Sequence, residues 1–211
     1  MASERKMLDL FCCEGIGAWG YWLSGRFSEI TGVDIDDEMR TRYSFNLRTQ
    51  DALKLTYEEF PGYSFIHASP PCQAYSKRTP DQTRHMRLIA ATHLMCQASG
   101  LPYVIENVEG SGIELRPNLV MDGLSVGLTS KRRRYFYVST LKESIRMISN
   151  VPASHVQGTM TRAEAIEAFG LDVINPNRLR RITLYGMEQC IPPAMTRFIA
   201  ELVFPDKVMV G

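Results

Sequence analysis

Nowhere in this sequence do apolar residues run to the roughly 18 that a membrane-crossing helix needs. The opening MASERKMLDLFCC has neither the cationic start nor the long apolar stretch of a secretory signal, so the expectation is a cytoplasmic chain with no membrane partner. Cysteine and histidine are scarce as well. The five cysteines, Cys12, Cys13, Cys72, Cys96 and Cys190, are odd in number, include no C-x-x-C pair and have four histidines for company. That pattern argues against a disulfide framework and against a bound metal. Net charge is nearly absent, at +1, which by itself argues against a strongly basic nucleic-acid binder. There is no internal repeat and no low-complexity tract.

What is present is the composition of a globular domain: 211 residues, 45% hydrophobic and 22% charged, long enough for one sizeable core and an added small lobe. Nothing in it sets an oligomeric state, and a monomer is the default. The small net charge hides segregation. Eleven of the 24 lysines and arginines lie in KRTPDQTRHMR (77 to 87), KRRR (131 to 134) and RLRR (178 to 181), with Asp81 as the one acid, so these segments carry +10 and the remainder −9. Brought together in space, they would give a polyanion a place to bind.

Short apolar runs alternate with amphipathic stretches, the pattern of a mostly parallel sheet with helices on both faces. KMLDLFC (6 to 12), EITGVDI (29 to 35), YSFIHAS (63 to 69), PYVIEN (102 to 107) and RYFYVST (134 to 140) predict strands. Helices are predicted in GAWGYWLSGRF, in DDEMRTRYSFNL, over residues 81 to 99, in TRAEAIEAFG (161 to 170) and in PPAMTRFIAELVF. The polar stretch LKESIRMISNVPASHVQGTM predicts a small insertion.

Three groups of residues fall at the carboxyl ends of predicted strands, where an open α/β sheet binds ligands. In DLFCCEGIGAWG (9 to 20), Gly15 and Gly17 let the backbone approach a ligand at a helix start. About 20 residues on, GVDID puts Asp34 or Asp36 where a carboxylate can accept hydrogen bonds from ribose hydroxyls, although Asp36 also suits helix capping. Asp51 follows at the end of a third unit, and together these features favour a nucleoside cofactor. Cys72, in ASPPCQAYSKR, stands behind two stiffening prolines and ahead of two cations, a setting for a reactive thiol. Glu106 ends the neighbouring strand and could share its cleft. In SKRRRYFYVST, period-two alternation points Arg132 and Arg134 the same way and Arg133 to solvent.

The ordered set DLFCCEGIG, GVDID, SPPCQAYS, IENV, SKRRRYFYV and IPPAMTRFIAEL resembles the successive motifs of the DNA (cytosine-5)-methyltransferases, in particular compact, phage-type members. The resemblance implies a Rossmann-like S-adenosylmethionine-dependent methyltransferase fold. Residues 1–140 would form the catalytic and cofactor-binding domain, 141–178 a reduced target-recognition segment, and 179–211 a return to the catalytic domain. It also implies a DNA partner and a bacterial host cytoplasm, with restriction-modification or phage DNA protection as the purpose.

Carried over by position, the resemblance makes Cys72 the nucleophile that adds to cytosine C6. Glu106 would hold N3 and the exocyclic amine, Arg134 would contact O2 with Arg132 assisting, and Asn107 would order the Cys72 loop. Phe11, Gly15, Asp34, Ile35, Asp51 and Pro70 would bind S-adenosylmethionine. Gln73, Ser76, Lys77, Arg78, Arg84, Arg178, Arg180 and Arg181 would contact nucleic acid. The sequence departs from the family pattern at Cys13 and Ile16, where glycines are usual, at Glu14, which adds an acid near the methionine end, and at Ser130, where glutamine is common. The asparagine usual before the final proline pair is missing from EQCIPP, and the recognition segment is short. The rival readings are methylation of RNA and a catalytically silent cofactor- or DNA-binding relative.

Overall fold

The computed structural model describes residues 4–153 and 160–206; part of the predicted polar insertion, including Gly158, lies outside them. Eight strands form one sheet: β1 (Lys6–Leu10), β2 (Glu29–Asp34), β3 (Asn46–Thr49), β4 (Phe65–Ala68), β5 (Tyr103–Asn107), β6 (Leu119–Met121), β7 (Arg134–Val138) and β8 (Ile145–Met147). Their spatial order is β3-β2-β1-β4-β5-β7-β6-β8. The first five are parallel, β7 runs antiparallel to both β5 and β6, and β8 is parallel to β6. This is a mostly parallel, Rossmann-like α/β sheet, whose chain order reverses between β1 and β4. No helix among the described residues is long and apolar enough to cross a membrane.

The helices are α1 (Ile16–Leu23), α2 (Ile89–Ala98), α3 (Gly112–Leu115), α4 (Arg162–Phe169), α5 (Pro176–Leu179), α6 (Leu184–Gln189) and α7 (Pro193–Val203). Because successive strand residues face opposite ways, the buried strands feed two apolar layers. Met7, Ile30, Phe65 and Val104 pack with Tyr21 of α1 and Met195 and Ile199 of α7. On the other face, Leu8, Leu10, Ile66 and Ile105 pack with Ile89 and Cys96 of α2 and Leu115 of α3. A third cluster joins Ile16 to Ala165, Phe169, Leu171, Ile182 and Met187, seating the segment that carries α4 to α6 beside the start of α1.

Contact between α1 and α7 depends on a missing side chain. A Cβ on Gly20 would lie 2.0 Å from both Pro193 O and Thr196 Oγ1, so only glycine lets the two backbones meet. Thr196 Oγ1 then donates to Gly17 O at 2.7 Å.

Three predicted helices are shorter than expected. GAWGYWLSGRF stops at Leu23, with Gly25 at φ 68° just beyond. DDEMRTRYSFNL forms only a 3₁₀ turn, Asp37–Thr41, capped by Asp36 accepting from Glu38 N at 2.9 Å. Beyond it Tyr43, Phe45 and Leu47 recur at period two and pack on the core, and the chain enters β3. Of residues 81 to 99, α2 takes only Ile89–Ala98. Asp81 caps a 3₁₀ turn at Gln82–Arg84, and the exposed residues from Thr83 to Arg87 offer no apolar face to hold a longer helix. Strands β3, β6 and β8 are additions to the expected layout.

Candidate active site

The carboxyl ends of β1, β2, β4 and β5 open into one cleft of about 460 Å³. At one end, Phe11 and Cys13 take left-handed backbone conformations (φ 56° and 48°), and Gly15 follows at φ 74°, so the β1–α1 loop folds tightly back. Asp34 holds it there: Oδ2 accepts from Cys13 N at 2.8 Å and Oδ1 from Asp36 N at 3.0 Å. Asp34 lines the cleft, whereas Asp36 caps the following turn. Asp51 also lines the cleft, with Oδ1 accepting from Leu53 N at 3.0 Å. Phe11, Gly15, Ile35 and Pro70 complete this end, and Ile35 stands 73% exposed at the mouth.

At the other end lies Cys72. Asn107 Nδ2 donates to Pro70 O at 2.8 Å, tying the proline pair to the end of β5. The Cys72 carbonyl accepts from Tyr75 N and Ser76 N, both at 2.9 Å, so the segment after the thiol is a tight turn. Glu106 and Arg134 share this wall and form a buried ion pair, Nε to Oε1 at 2.9 Å. Arg134 Nε has no aligned hydrogen-bond acceptor, so the contact is a close charge pair, with Nη2 donating to Cys190 O at 3.3 Å.

Burial pushes the Glu106 carboxyl up, opposed by the positive charges of Arg134 and Arg132. Burial also raises the Cys72 thiol, with Glu106 adding to the rise and the two arginines opposing it. A thiol so placed becomes a thiolate more readily when the negative charge of Glu106 is neutralised or engaged.

Arg132 departs from expectation: it does not face the cleft beside Arg134. Regular alternation begins only at Arg134, the first residue of β7, and Arg132 itself has φ 20°. Its guanidinium instead lies over the Phe169 ring, 4.6 Å from the centroid, and donates to Cys190 O at 2.8 Å and to Glu188 O. Its charge reaches Cys72 and Glu106 without contact. Arg133 is partly buried and pairs with Glu109 at 3.4 Å.

Of the residues expected to meet nucleic acid, Gln73 lines the cleft and is exposed. Ser76 is partly buried and its Oγ accepts from Arg78 N. Lys77, Arg78, Arg84, Arg178, Arg180 and Arg181 are exposed, with Arg84 paired to Asp81 at 2.9 Å. The KRRR segment contributes less surface charge than its composition suggests, because Arg132 and Arg134 are buried.

Several cleft residues are not among those expected from the sequence. Asp9, in the middle of β1, receives a hydrogen bond from Tyr43 Oη at 3.0 Å, and burial pushes its carboxyl up to about 7. His67 is driven down to about 3 by burial and is therefore neutral, with Nδ1 bonded to Tyr21 Oη at 2.8 Å. An acid and a histidine inside otherwise apolar strands were the visible clue. Tyr185, Gln189 and Cys190, on and just after α6, form the far wall.

The sequence profile of the C-5 cytosine-specific DNA methylases matches residues 5–111. No protein of curated description matches the chain. Among solved structures, a dimethyladenosine transferase from Plasmodium falciparum is similar at 17% identity and a TM-score of 0.33, over 52% of this chain and 38% of that one. The complex of E. coli MccB with selenomethionine MccA is similar at 13% identity and a TM-score of 0.30, over 51% of this chain and 38% of that one. The chain thus spans well under half the length of either.

Proposed function

Because the chain belongs to the family of C-5 cytosine-specific DNA methylases, we propose that it transfers a methyl group from S-adenosylmethionine to cytosine C5 in DNA, through a covalent bond to Cys72. The observation that carries this reading is the meeting of Cys72, Glu106 and Arg134 in the same cleft as the Asp34-pinned loop. The cleft suits the cofactor chemically. Its volume of about 460 Å³ lies within the ~300–1,000 Å³ typical of small-molecule sites. Phe11 and Ile35 offer apolar faces to an adenine, and Asp34 and Asp51 offer carboxylates to its sugar and amine. When bound, S-adenosylmethionine would supply the electrophilic methyl group.

The protein's own groups do the rest. The Cys72 sulfur bonds to C6, leaving C5 electron-rich; after C5 is methylated, loss of the C5 proton expels the thiolate and restores the ring. Glu106, already held neutral more readily by burial, donates to or accepts from the N3 and amine edge as charge develops there. Arg134 stabilises negative charge on O2. The cleft receives only an unstacked base, so the cytosine must be flipped out at a few kcal/mol. The exposed cations Lys77, Arg78, Arg84, Arg178, Arg180 and Arg181 contact phosphates and supply affinity more than sequence information. With few groups to read bases in residues 141–178, the target is a short or relaxed site.

Incubation with S-adenosylmethionine carrying a labelled methyl group, on DNA and RNA in parallel, tests the reading. Label should enter DNA with the wild type and not with Cys72→Ala, and DNA containing 5-fluorocytosine should become covalently attached to the wild type. Equal turnover by Cys72→Ala sinks the mechanism, and label confined to RNA moves the substrate.

A further inference from the structure

Helix α4 begins with a complete capping box. Thr161 caps the helix while Glu164, three residues on, accepts from Thr161 N at 2.7 Å. Helix α6 begins with the same threonine geometry and lacks the acid: Thr183 Oγ1 accepts from Gly186 N at 2.9 Å, and position 186, where the carboxylate belongs, is glycine. The missing carboxylate comes from another part of the chain. Glu14, in the β1–α1 loop, accepts from Thr183 N through Oε2 and from Thr183 Oγ1 through Oε1, both at 2.6 Å. A Cβ on Gly186 would lie 2.2 Å from Glu14 Oε2, so the glycine and the distant acid fit each other. Glu14 is 3% exposed and also faces Arg42 Nη1 at 3.4 Å.

We propose that Glu14 is a positioning residue of the cleft: it completes the cap of α6 from the loop opposite and holds the far wall in place. The helix carries Tyr185 and Gln189 along the cleft, and it ends at Cys190, whose carbonyl receives Arg132 Nε and Arg134 Nη2. A chain of contacts therefore runs from the β1–α1 loop through Glu14, Thr183 and α6 to the arginine that pairs with Glu106. The acid that looked out of place near the methionine end is engaged by the protein itself. Its consequence for S-adenosylmethionine rests on the reading given above; the cap does not.

The test uses three proteins: wild type, Glu14→Ala, and Glu14→Ala combined with Gly186→Glu, which rebuilds the capping box within α6. Amide hydrogen exchange without ligand should be faster across residues 183–189 in Glu14→Ala by roughly tenfold or more, the scale for a lost hydrogen bond to a charged group. Protection should return in the double variant. Exchange in Glu14→Ala equal to wild type overturns the proposal. If Glu14→Ala does not fold, folding of the double variant supports the proposal and its failure to fold overturns it.

Calorimetry with S-adenosylmethionine then separates positioning from contact. Affinity lost in Glu14→Ala and regained in the double variant supports action through α6. Because Gly186 itself lines the cleft, direct contact is read from the single variant: affinity lost in Glu14→Ala while exchange across residues 183–189 stays as in wild type means Glu14 meets the ligand directly, which overturns the positioning role. A wild type that binds no S-adenosylmethionine removes the cofactor reading and leaves the exchange result to decide the cap.

Discussion

Replacing Arg134 with methionine should make the stability gap from wild type depend on pH. Glu106 and Arg134 are almost enclosed, with side-chain exposures of 8% and 10%, and Arg134 is the stronger of the two charges that oppose the burial-driven rise of the Glu106 pKa. Without the guanidinium, Glu106 in the folded protein holds its proton to higher pH. A carboxyl raised in the folded state contributes stability at acid pH and loses it as pH climbs from the ordinary value of 4.5 through the folded pKa, because the unfolded chain releases its proton first.

The substitution extends that loss upward. Below the pH at which Glu106 ionises in the folded wild type, both proteins hold it neutral and the gap is flat. Above it the gap widens by at most about 1.4 kcal/mol per pH unit. It approaches the ~3–5 kcal/mol that follows removal of one partner of a buried pair. Urea denaturation of both proteins between about pH 5 and 8 measures the gap directly: groups that Arg134 does not reach cancel in the difference, and Cys72, Cys190 and Arg132, which it does reach, titrate above that range. A gap that is the same at both ends of the range refutes the coupling.

Three further outcomes are expected. Asp34→Ala should weaken S-adenosylmethionine binding by roughly 10- to 150-fold, the equivalent of ~1.5–3 kcal/mol for a charged acceptor, and an unchanged dissociation constant by calorimetry would remove Asp34 from the cofactor site. Gly20→Ala, whose Cβ would sit 2.0 Å from Pro193 O, should lower the midpoint of thermal unfolding by the equivalent of about 1–3 kcal/mol or more; no change would mean that α1 and α7 can separate freely. Bisulfite sequencing of treated DNA should find methylation at sites of about two or three base pairs or without strict context, with binding that weakens steeply as salt rises. Confinement to a site of about five or more defined bases would point to a reading element outside residues 141–178.

The alternation of apolar runs identified the central strands because each is buried on both faces and leaves a continuous signature, as in KMLDL and YVIEN. The short outer strands did not show. Asn46–Thr49 is exposed or half-buried, and Ile145–Met147 sits among polar residues, so both owe their strand form to a neighbour already in the sheet. Local capping misled in the other direction, since Asp36 and Asp81 do start helical turns that lack an apolar face to continue. At the site, Phe11, Gly15, Asp34, Ile35, Asp51, Pro70, Cys72, Glu106 and Arg134 reach one cleft because strand ends place them there by register. Arg132 escapes the period-two alternation because β7 begins only at Arg134, which leaves its side chain to turn to Phe169 and Cys190. Glu14 and Gly186 were illegible as a pair because a carboxylate and the gap it fills lie 172 residues apart, beyond any local pattern.

The meeting of α1 with α7 has a bearing on how the protein comes into being. The bond from Thr196 to Gly17 spans 179 residues, and the far wall of the cleft, Tyr185, Gln189 and Cys190, likewise follows β1, β4 and the Cys72 turn along the chain. A nascent chain therefore carries its thiol before the far side of the cleft has been made. Closure of so long a loop also ties assembly of the site to the slow, non-local end of folding. Cys72 is thus made before the residues that enclose it.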